Sequence, residues 1–581
     1  MAQCLRGWGL DLHKRSDEQF KPSGQSLNSM FKRLIEKPIF LLIAINILIG
    51  VLVFRNYGYS WDEPLFYDYG DALGYAYSPR EWLDGNFDLE RSFGSSGDDH
   101  KTRGPAYLLL ARGPVSLLET LGLDKDSAWH LINFLFFQLG VYFLYRLASR
   151  WMKPSAALAA SALFSWQPLL WGHAFINPKD PPFLVFFLAS VCLGFEMVDQ
   201  LSDETRTSKQ KFSSIIIPGL VLGITTSIRV LGPFAGLIVF IYFLAEIIKN
   251  KKFRVSVSPW LMLFAYAIVA ILAMFATWPF LWQNPVPNFI EVFRFMSDNP
   301  TNLSVLFGGE VYRAGELPRR YLPFMIATTL TESVIPLFVF GIFIAYIQFF
   351  RQNRQLKASG QESDSPDSWR ALRSSLDIAP VGNNIIPLTL VLLWFGLVLA
   401  YVLLRRPAMY DGLRHFLFIL PPIFIFTGFT FEFLIDHIAT SWLYAGLILI
   451  LLFPGVLGIA QLHPYEYTYY NSFIGGINGA FRLYETDYWL TCYKESVERL
   501  EQTTDVPVEL YVHREAYIAD YYAGETITVH ELRGALDEVQ PGDYVLVNTR
   551  TNEDRRVFKD APSLFSIGRG DAAFCIIKQI P

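Results

Sequence analysis

The segment Tyr59-Ser60-Trp61-Asp62-Glu63-Pro64 sets two adjacent carboxylates just after an apolar run at about 34–54. That run holds roughly twenty mostly apolar residues, enough to cross a hydrocarbon core about 30 Å thick as a helix. Asp62 and Glu63 therefore leave lipid at the membrane surface, where a carboxylate can serve as a general base, a contribution typically of about 10²–10⁴ in rate. Asp68 and Asp71 follow, interleaved with Tyr59, Trp61, Phe66, Tyr67 and Tyr69, a mixture suited to a polar, ring-shaped substrate. The competing reading is a solvated loop flanked by an interfacial aromatic belt. A further acid, Asp180, lies in Asn177-Pro178-Lys179-Asp180-Pro181-Pro182 at the start of a later apolar run, where it could equally cap a helix.

Cations collect where membrane topology does not ask for them: Arg229, Arg405-Arg406 and Arg414-His415. An ionisable group at that depth needs an anionic partner, either a local acid such as Asp411 or a bound phosphate. Snorkelling to the interface is the alternative. A carboxylate facing a phosphate held by Arg and Lys is what a sugar on a lipid phosphate requires. The acceptor hydroxyl needs a base, and the leaving phosphate needs cations rather than a protonating acid. Glycoside hydrolysis differs, because there paired carboxylates divide acid and base or nucleophile duties.

The elements that must position these residues are membrane helices. Of 581 residues, 52% are hydrophobic and 18% charged, and the apolar ones are gathered into long blocks. Predicted spans lie near 34–54, 127–148, 155–173, 182–199, 214–229, 231–248, 258–278, 330–350, 384–404, 415–431 and 442–460, about eleven in all. Basic residues crowd 1–37 and the connections 146–153, 206–211, 249–254 and 351–373, which places them and the N-terminus in the cytoplasm. The acidic loop after residue 55 and the C-terminal tail then fall outside. The first run starts too late, and without a small-residue cleavage site, for a cleaved signal. The expected localisation is the plasma (inner) membrane, multi-pass.

Three parts follow: a cytoplasmic segment 1–37, a membrane region 38–460 with external loops 55–126 and 279–329, and an external domain 461–581. The apolar stretch 104–123 contains Arg112-Gly113-Pro114 and reads as two short interfacial helices. A flexible cytoplasmic linker is expected at 359–368. In the tail, 486–500 reads as helix and 508–512, 543–548 and 573–578 as strands, giving a small α/β domain. Cys492 and Cys575 both belong to that tail and are either a disulfide or two free buried thiols. No zinc-site spacing is visible. The net charge of −5 says little about nucleic acid, but the basic residues follow membrane topology and form no aromatic-interleaved groove, so no nucleic-acid partner is expected.

Across most of the membrane region the chain resembles the GT-C glycosyltransferases, specifically the protein O-mannosyltransferase-like and lipid A aminoarabinose transferase-like group. Trp61-Asp62-Glu63 is similar to that group's acidic motif in the first external loop, and Lys179-Asp180 to the acid of the second. Gly223-Ile224-Thr225-Thr226-Ser227-Ile228-Arg229 resembles a segment that usually ends in Lys or Arg. Arg414-His415-Phe416-Leu417-Phe418-Ile419-Leu420-Pro421 resembles a late Arg-aromatic…Leu-Pro motif.

The resemblance implies an α-helical integral membrane enzyme, GT-C-like, that inverts configuration as it moves a sugar from a polyprenyl-phosphate donor to a hydroxyl of an external protein, lipid or glycan acceptor. It implies Asp62 as general base with Glu63 orienting it or the acceptor. Arg414, Arg229, Arg405 and Arg406 would hold the donor phosphate, Arg414 foremost. The group's Lys-Pro-Pro or His-Pro-Pro motif is replaced here by His100-Lys101-Thr102-Arg103-Gly104-Pro105, with Lys101 and Arg103 as stand-ins. Lys179, Asp180, His415, Trp61 and Tyr67 would line the substrate site. No cofactor or divalent metal is inferred. His463-Pro464-Tyr465-Glu466-Tyr467 and Thr486-Asp487-Tyr488-Trp489 resemble recurring tail motifs, read here as packing of the tail onto the membrane loops. A transporter or flippase of lipid-linked saccharides is the alternative, although no internal repeat is visible and the acids sit in loops rather than at the midplane. A non-catalytic assembly protein that docks through its tail is a third.

Overall fold

The computed structural model describes residues 38–95, 97–250, 258–297, 303–359, 385–438, 440–504 and 506–581. The segment 1–37 predicted as cytoplasmic, most of the 249–254 and 351–373 connections and all but the first residue of the linker predicted at 359–368 lie outside the described residues.

Each predicted span overlaps helix among its described residues. Among the described residues, seven helices are individually long and apolar enough to cross a membrane: Pro38–Asn56, Lys125–Ala148, Asp180–Ser202, Ser208–Ile228, Ser258–Ala276, Ile385–Arg405 and Ser441–Leu462. An eighth candidate is Tyr321–Thr329 followed by Val334–Phe349, bent by 102°. The other predicted spans are shorter or broken. The 155–173 run divides at Pro168 into Pro154–Ser165 and Pro168–Ile176, because a proline favours the first helical position and ends what precedes it. Pro233–Lys249 and Pro421–His437 have 17 residues each. The predicted pair of short helices at 104–123 is instead one helix, Ala106–Thr120, with Pro114 inside it.

Asp180–Ser202 is the axis of the bundle. It packs on Lys125–Ala148, Ser208–Ile228 and Pro233–Lys249, and 89% of its apolar window is buried. Helices at the rim turn large apolar side chains outward, including Leu48, Leu52, Phe264 and Ile450, as a lipid-facing surface requires. At the far end of the axial helix, Glu196 accepts from Nε and Nη2 of Arg146, each at 2.6 Å. Sixteen residues, ~24 Å of helix rise, separate that pair from Asp180.

The long loop 279–329 carries the helix Pro285–Ser297 and a hairpin of β1 (Ser304–Phe307) and β2 (Glu310–Arg313). The tail adds β3 (Val508–Val512), β4 (Ile527–Glu531), β5 (Tyr544–Asn548), β6 (Ser563–Arg569) and β7 (Ala572–Gln579) in one sheet ordered β4-β3-β5-β7-β6. The first three strands of that order are parallel and the rest antiparallel. Cys492, opening the helix Cys492–Thr503, is disulfide-bonded to Cys575 on β7.

The tail sits on the end of the bundle that carries Asp62. A Cβ at Gly58 would lie 2.5 Å from the Thr491 carbonyl oxygen, so only glycine permits this approach. The Trp61 amide donates to the Trp489 carbonyl at 3.2 Å, and the Tyr57 hydroxyl donates to Glu466 at 2.9 Å.

Candidate active site

Asp62 is the N-cap of the helix Glu63–Ala76, with Pro64 in its first turn, yet its side chain caps nothing. Its carboxylate instead accepts from Arg414 Nη1 at 2.9 Å. Asp180 is likewise relieved of capping, because Asn177 Oδ1 accepts from the amides of Lys179 and Asp180 at 3.1 and 2.9 Å. One Asp180 oxygen pairs with Arg229, and the other lies 3.9 Å from Arg414. Arg414 opens a 3₁₀ turn, Arg414–Ile419, three residues after Asp411, which accepts from its Nη2 at 2.9 Å. Asp411 and Gly412 both have positive φ, 57° and 64°, a turn that Asp and Gly tolerate and that aims Arg414 inward.

Lys179 and Arg103 share the ring of buried Phe66, their charges 5.3 and 5.8 Å from its centroid. Gly104 allows this, since a Cβ there would lie 1.8 Å from the Ser227 carbonyl oxygen. The loop carrying Arg103 thereby meets the helix end that carries Arg229. The result is three carboxylates, Asp62, Asp180 and Asp411, against four basic side chains, Arg103, Lys179, Arg229 and Arg414.

Burial alone would raise the Asp62 carboxyl, but Arg414, Arg103 and Lys179 hold it below the usual carboxylate value. Burial pushes Lys179 well down, and Arg103 and Arg229 add to that against the opposing pull of Asp62. Cations thus outweigh anions around Lys179. The Nε atoms of Arg103, Arg229 and Arg414 are buried without a hydrogen-bond partner, donors that a bound anion could satisfy. Asp62 keeps 25% of its side chain exposed, against 7% for Arg414 and 2% for Asp180, so it is the most accessible acid of the cluster.

The remaining predicted residues divide. Trp61 lies against the cluster, with the Arg550 guanidinium 4.8 Å from its ring centroid and its carbonyl accepting from Tyr517 at 2.6 Å. His415 follows Arg414 and meets the Tyr410 ring edge-on at 4.7 Å. Glu63 turns away from Asp62. Fully buried, it accepts from the Ser60 amide at 2.6 Å and the Tyr67 hydroxyl at 2.5 Å and lies 3.1 Å from His130. Tyr67 is also fully buried, stacked on Trp129 at 4.3 Å, because it faces the core side of its helix. Both therefore support the loop from beneath and do not line the open face. Arg405 and Arg406 are exposed at the end of Ile385–Arg405 and do not join the ion pairs around Asp62. Lys101 stays beside Arg103, its carbonyl accepting from Trp278.

Sequence reasoning did not single out Arg550, Glu485 and Trp489 as site residues. Arg550 Nη2 donates to Asp411 at 2.6 Å and its Nε to Glu485 at 2.9 Å, while Trp489 Nε1 lies 3.3 Å from Asp411. The Thr486-Asp487-Tyr488-Trp489 motif was the available signal for the last of these. Asp487, Cys492 and Cys575 lie close enough to suggest a metal site, but the two sulfurs are joined to each other.

No family model matches the chain, and no curated protein matches it. Among solved structures, the chain is similar to the Archaeoglobus fulgidus oligosaccharyltransferase tethered with an acceptor peptide. The TM-score is 0.47 at 10% identity, covering 91% of this chain and 70% of that one. ArnT from Cupriavidus metallidurans in the apo state gives a TM-score of 0.45 at 11% identity, covering 95% of this chain and 98% of that one. The same protein bound to undecaprenyl phosphate gives 0.41 at 11% identity, covering 93% and 97%.

Proposed function

We propose that the chain is an inverting, GT-C-like membrane glycosyltransferase that moves a sugar from a polyprenyl phosphate to a hydroxyl of an external acceptor. The observation that carries this reading is the Asp62–Arg414 pair at 2.9 Å inside a cluster with one basic side chain more than its acids. The motif resemblance in the membrane region supports it as well.

In the resting site Arg414 neutralises Asp62. A donor phosphate entering among Arg103, Lys179, Arg229 and Arg414 competes for the guanidinium and frees the Asp62 carboxylate. An acceptor hydroxyl placed between Asp62 and the anomeric carbon then gives its proton to Asp62 while its oxygen attacks that carbon. The bond from the anomeric carbon to the phosphate oxygen breaks, and its electron pair leaves with the polyprenyl phosphate. The phosphate gains one negative charge, which Lys179, protonated as the donor binds, offsets in a low-dielectric pocket. The carboxylate has lost one to the acceptor proton, so charge balances.

The test is incubation of membranes holding the protein with a panel of labelled polyprenyl-phosphate sugars. Label should leave the donor lipid for one acceptor fraction. Label that stays on the lipid yet crosses the bilayer would favour a flippase and sink the reading.

A further inference from the structure

Asp411 is fully buried and serves three donors at once. One oxygen takes Arg414 Nη2 at 2.9 Å and Trp489 Nε1 at 3.3 Å, and the other takes Arg550 Nη2 at 2.6 Å. Arg550 and Trp489 both belong to the tail, whereas Asp411 and Arg414 belong to the membrane region. The Arg550 side chain is 1% exposed, and its guanidinium stacks on Trp61, the residue before Asp62. Its backbone is fixed as well: the Arg550 amide donates to Asn548 at 2.6 Å, and the Asn548 side chain donates to the Asp487 carbonyl at 3.1 Å.

We propose that Arg550 is a positioning residue of the membrane-surface site: by occupying one oxygen of Asp411 it limits Arg414 to the other and so keeps the Arg414 guanidinium on Asp62. This rests on the glycosyltransferase reading for its effect on turnover, not for its effect on anion binding. Arginine and carboxylate favour a two-pronged pair when both oxygens are open. With Arg550 gone, both Asp411 oxygens become open to Arg414, and its single bond to Asp62 is the contact given up. The tail domain is then part of the catalytic unit, joined to it through one buried cation.

The test compares full-length wild type, Arg550→Gln and Arg550→Lys in liposomes. It measures binding of a sugar-free polyprenyl phosphate, sugar transfer, and the pH dependence of kcat/KM. The charged or titratable groups facing Asp62 are Arg414, Arg103, Lys179, Arg229 and Tyr517. Arg550→Gln is expected to lower kcat on the order of 10²-fold through misplacement of Arg414. It is also expected to weaken polyprenyl-phosphate binding and move the acid limb of the profile to higher pH, with Arg550→Lys recovering part of each. A folded Arg550→Gln protein with wild-type binding and an unmoved acid limb overturns the proposal, as does a loss of melting temperature and rate with no shift in the limb. Should the wild type bind the phosphate lipid yet transfer no sugar, the glycosyltransferase reading fails and the positioning role is decided by binding alone.

Discussion

Arg414 contacts three acids, two of them at 2.9 Å, so its removal leaves buried carboxylates without their cation. Arg414→Ala should weaken binding of a polyprenyl-phosphate donor by about 1.5–3 kcal/mol, the usual range for hydrogen bonds to charged groups; isothermal binding to reconstituted protein measures this directly. The same change removes the cation that most lowers Asp62. Because the folded value of Asp62 is depressed, its favourable contribution is present above the unfolded value of about 3.9 and is lost as pH falls through the folded one. In Arg414→Ala the acid limb of kcat/KM should therefore move upward. Lys179 behaves in the opposite sense. Its value is pushed down, chiefly by burial and by neighbouring cations, and a bound phosphate would raise it. Donor binding should then take up a proton and weaken as pH rises from the depressed Lys179 value toward the ordinary one. Affinities of wild type and Lys179→Met measured across that range check this, with the variant losing the dependence.

At the scale of elements, the Pro181-Pro182 pair made the start of the helix at Asp180 legible, because proline favours the first helical turn. The sequence pattern left open whether Asp180 was a cap or part of a site, and Asn177, three residues earlier, resolves it by taking the amides itself. Glu63 could not be separated from Asp62 by spacing, since adjacent helix-start residues point in different directions and only packing against His130 and Tyr67 decides which is buried. Arg550 lies 139 residues from Asp411, and no local pattern encodes that pairing. Glu485 offers a test of this junction. Burial raises its carboxyl to about 7, with Asp411 adding to that and Arg550 opposing it. A raised acid binds protons in the folded state that the unfolded chain has released, so stability falls as pH climbs from about 4.3 to 7. Thermal melts of Glu485→Gln should lose that slope and match or exceed the wild-type melting temperature at pH 8.

For the whole molecule, the hydrophobic blocks and basic connections foretold a multi-helix bundle with a small α/β tail, and the structure has both. The edge strands β4 and β6 were not legible in the sequence, because sheet-edge strands of mixed composition carry weak alternation. The two cysteines left open by sequence are bonded across 83 residues. Replacing both with Ala should lower the stability of the tail by about 2–4 kcal/mol, read as an earlier unfolding transition or faster proteolysis of the tail. Since the tail carries Arg550 and Trp489 to the site, the same variant should lose transfer at temperatures where the bundle itself stays folded.

The most direct measurement is single-turnover transfer by Asp62→Asn, with labelled polyprenyl-phosphate sugar bound to saturation before acceptor is added. The account predicts a fall in rate of about 10²–10⁴, the range for loss of a general base. Donor affinity should be unchanged or tighter, because Arg414 loses a competitor for the phosphate. An Asp62→Asn enzyme that transfers at the wild-type rate would contradict it.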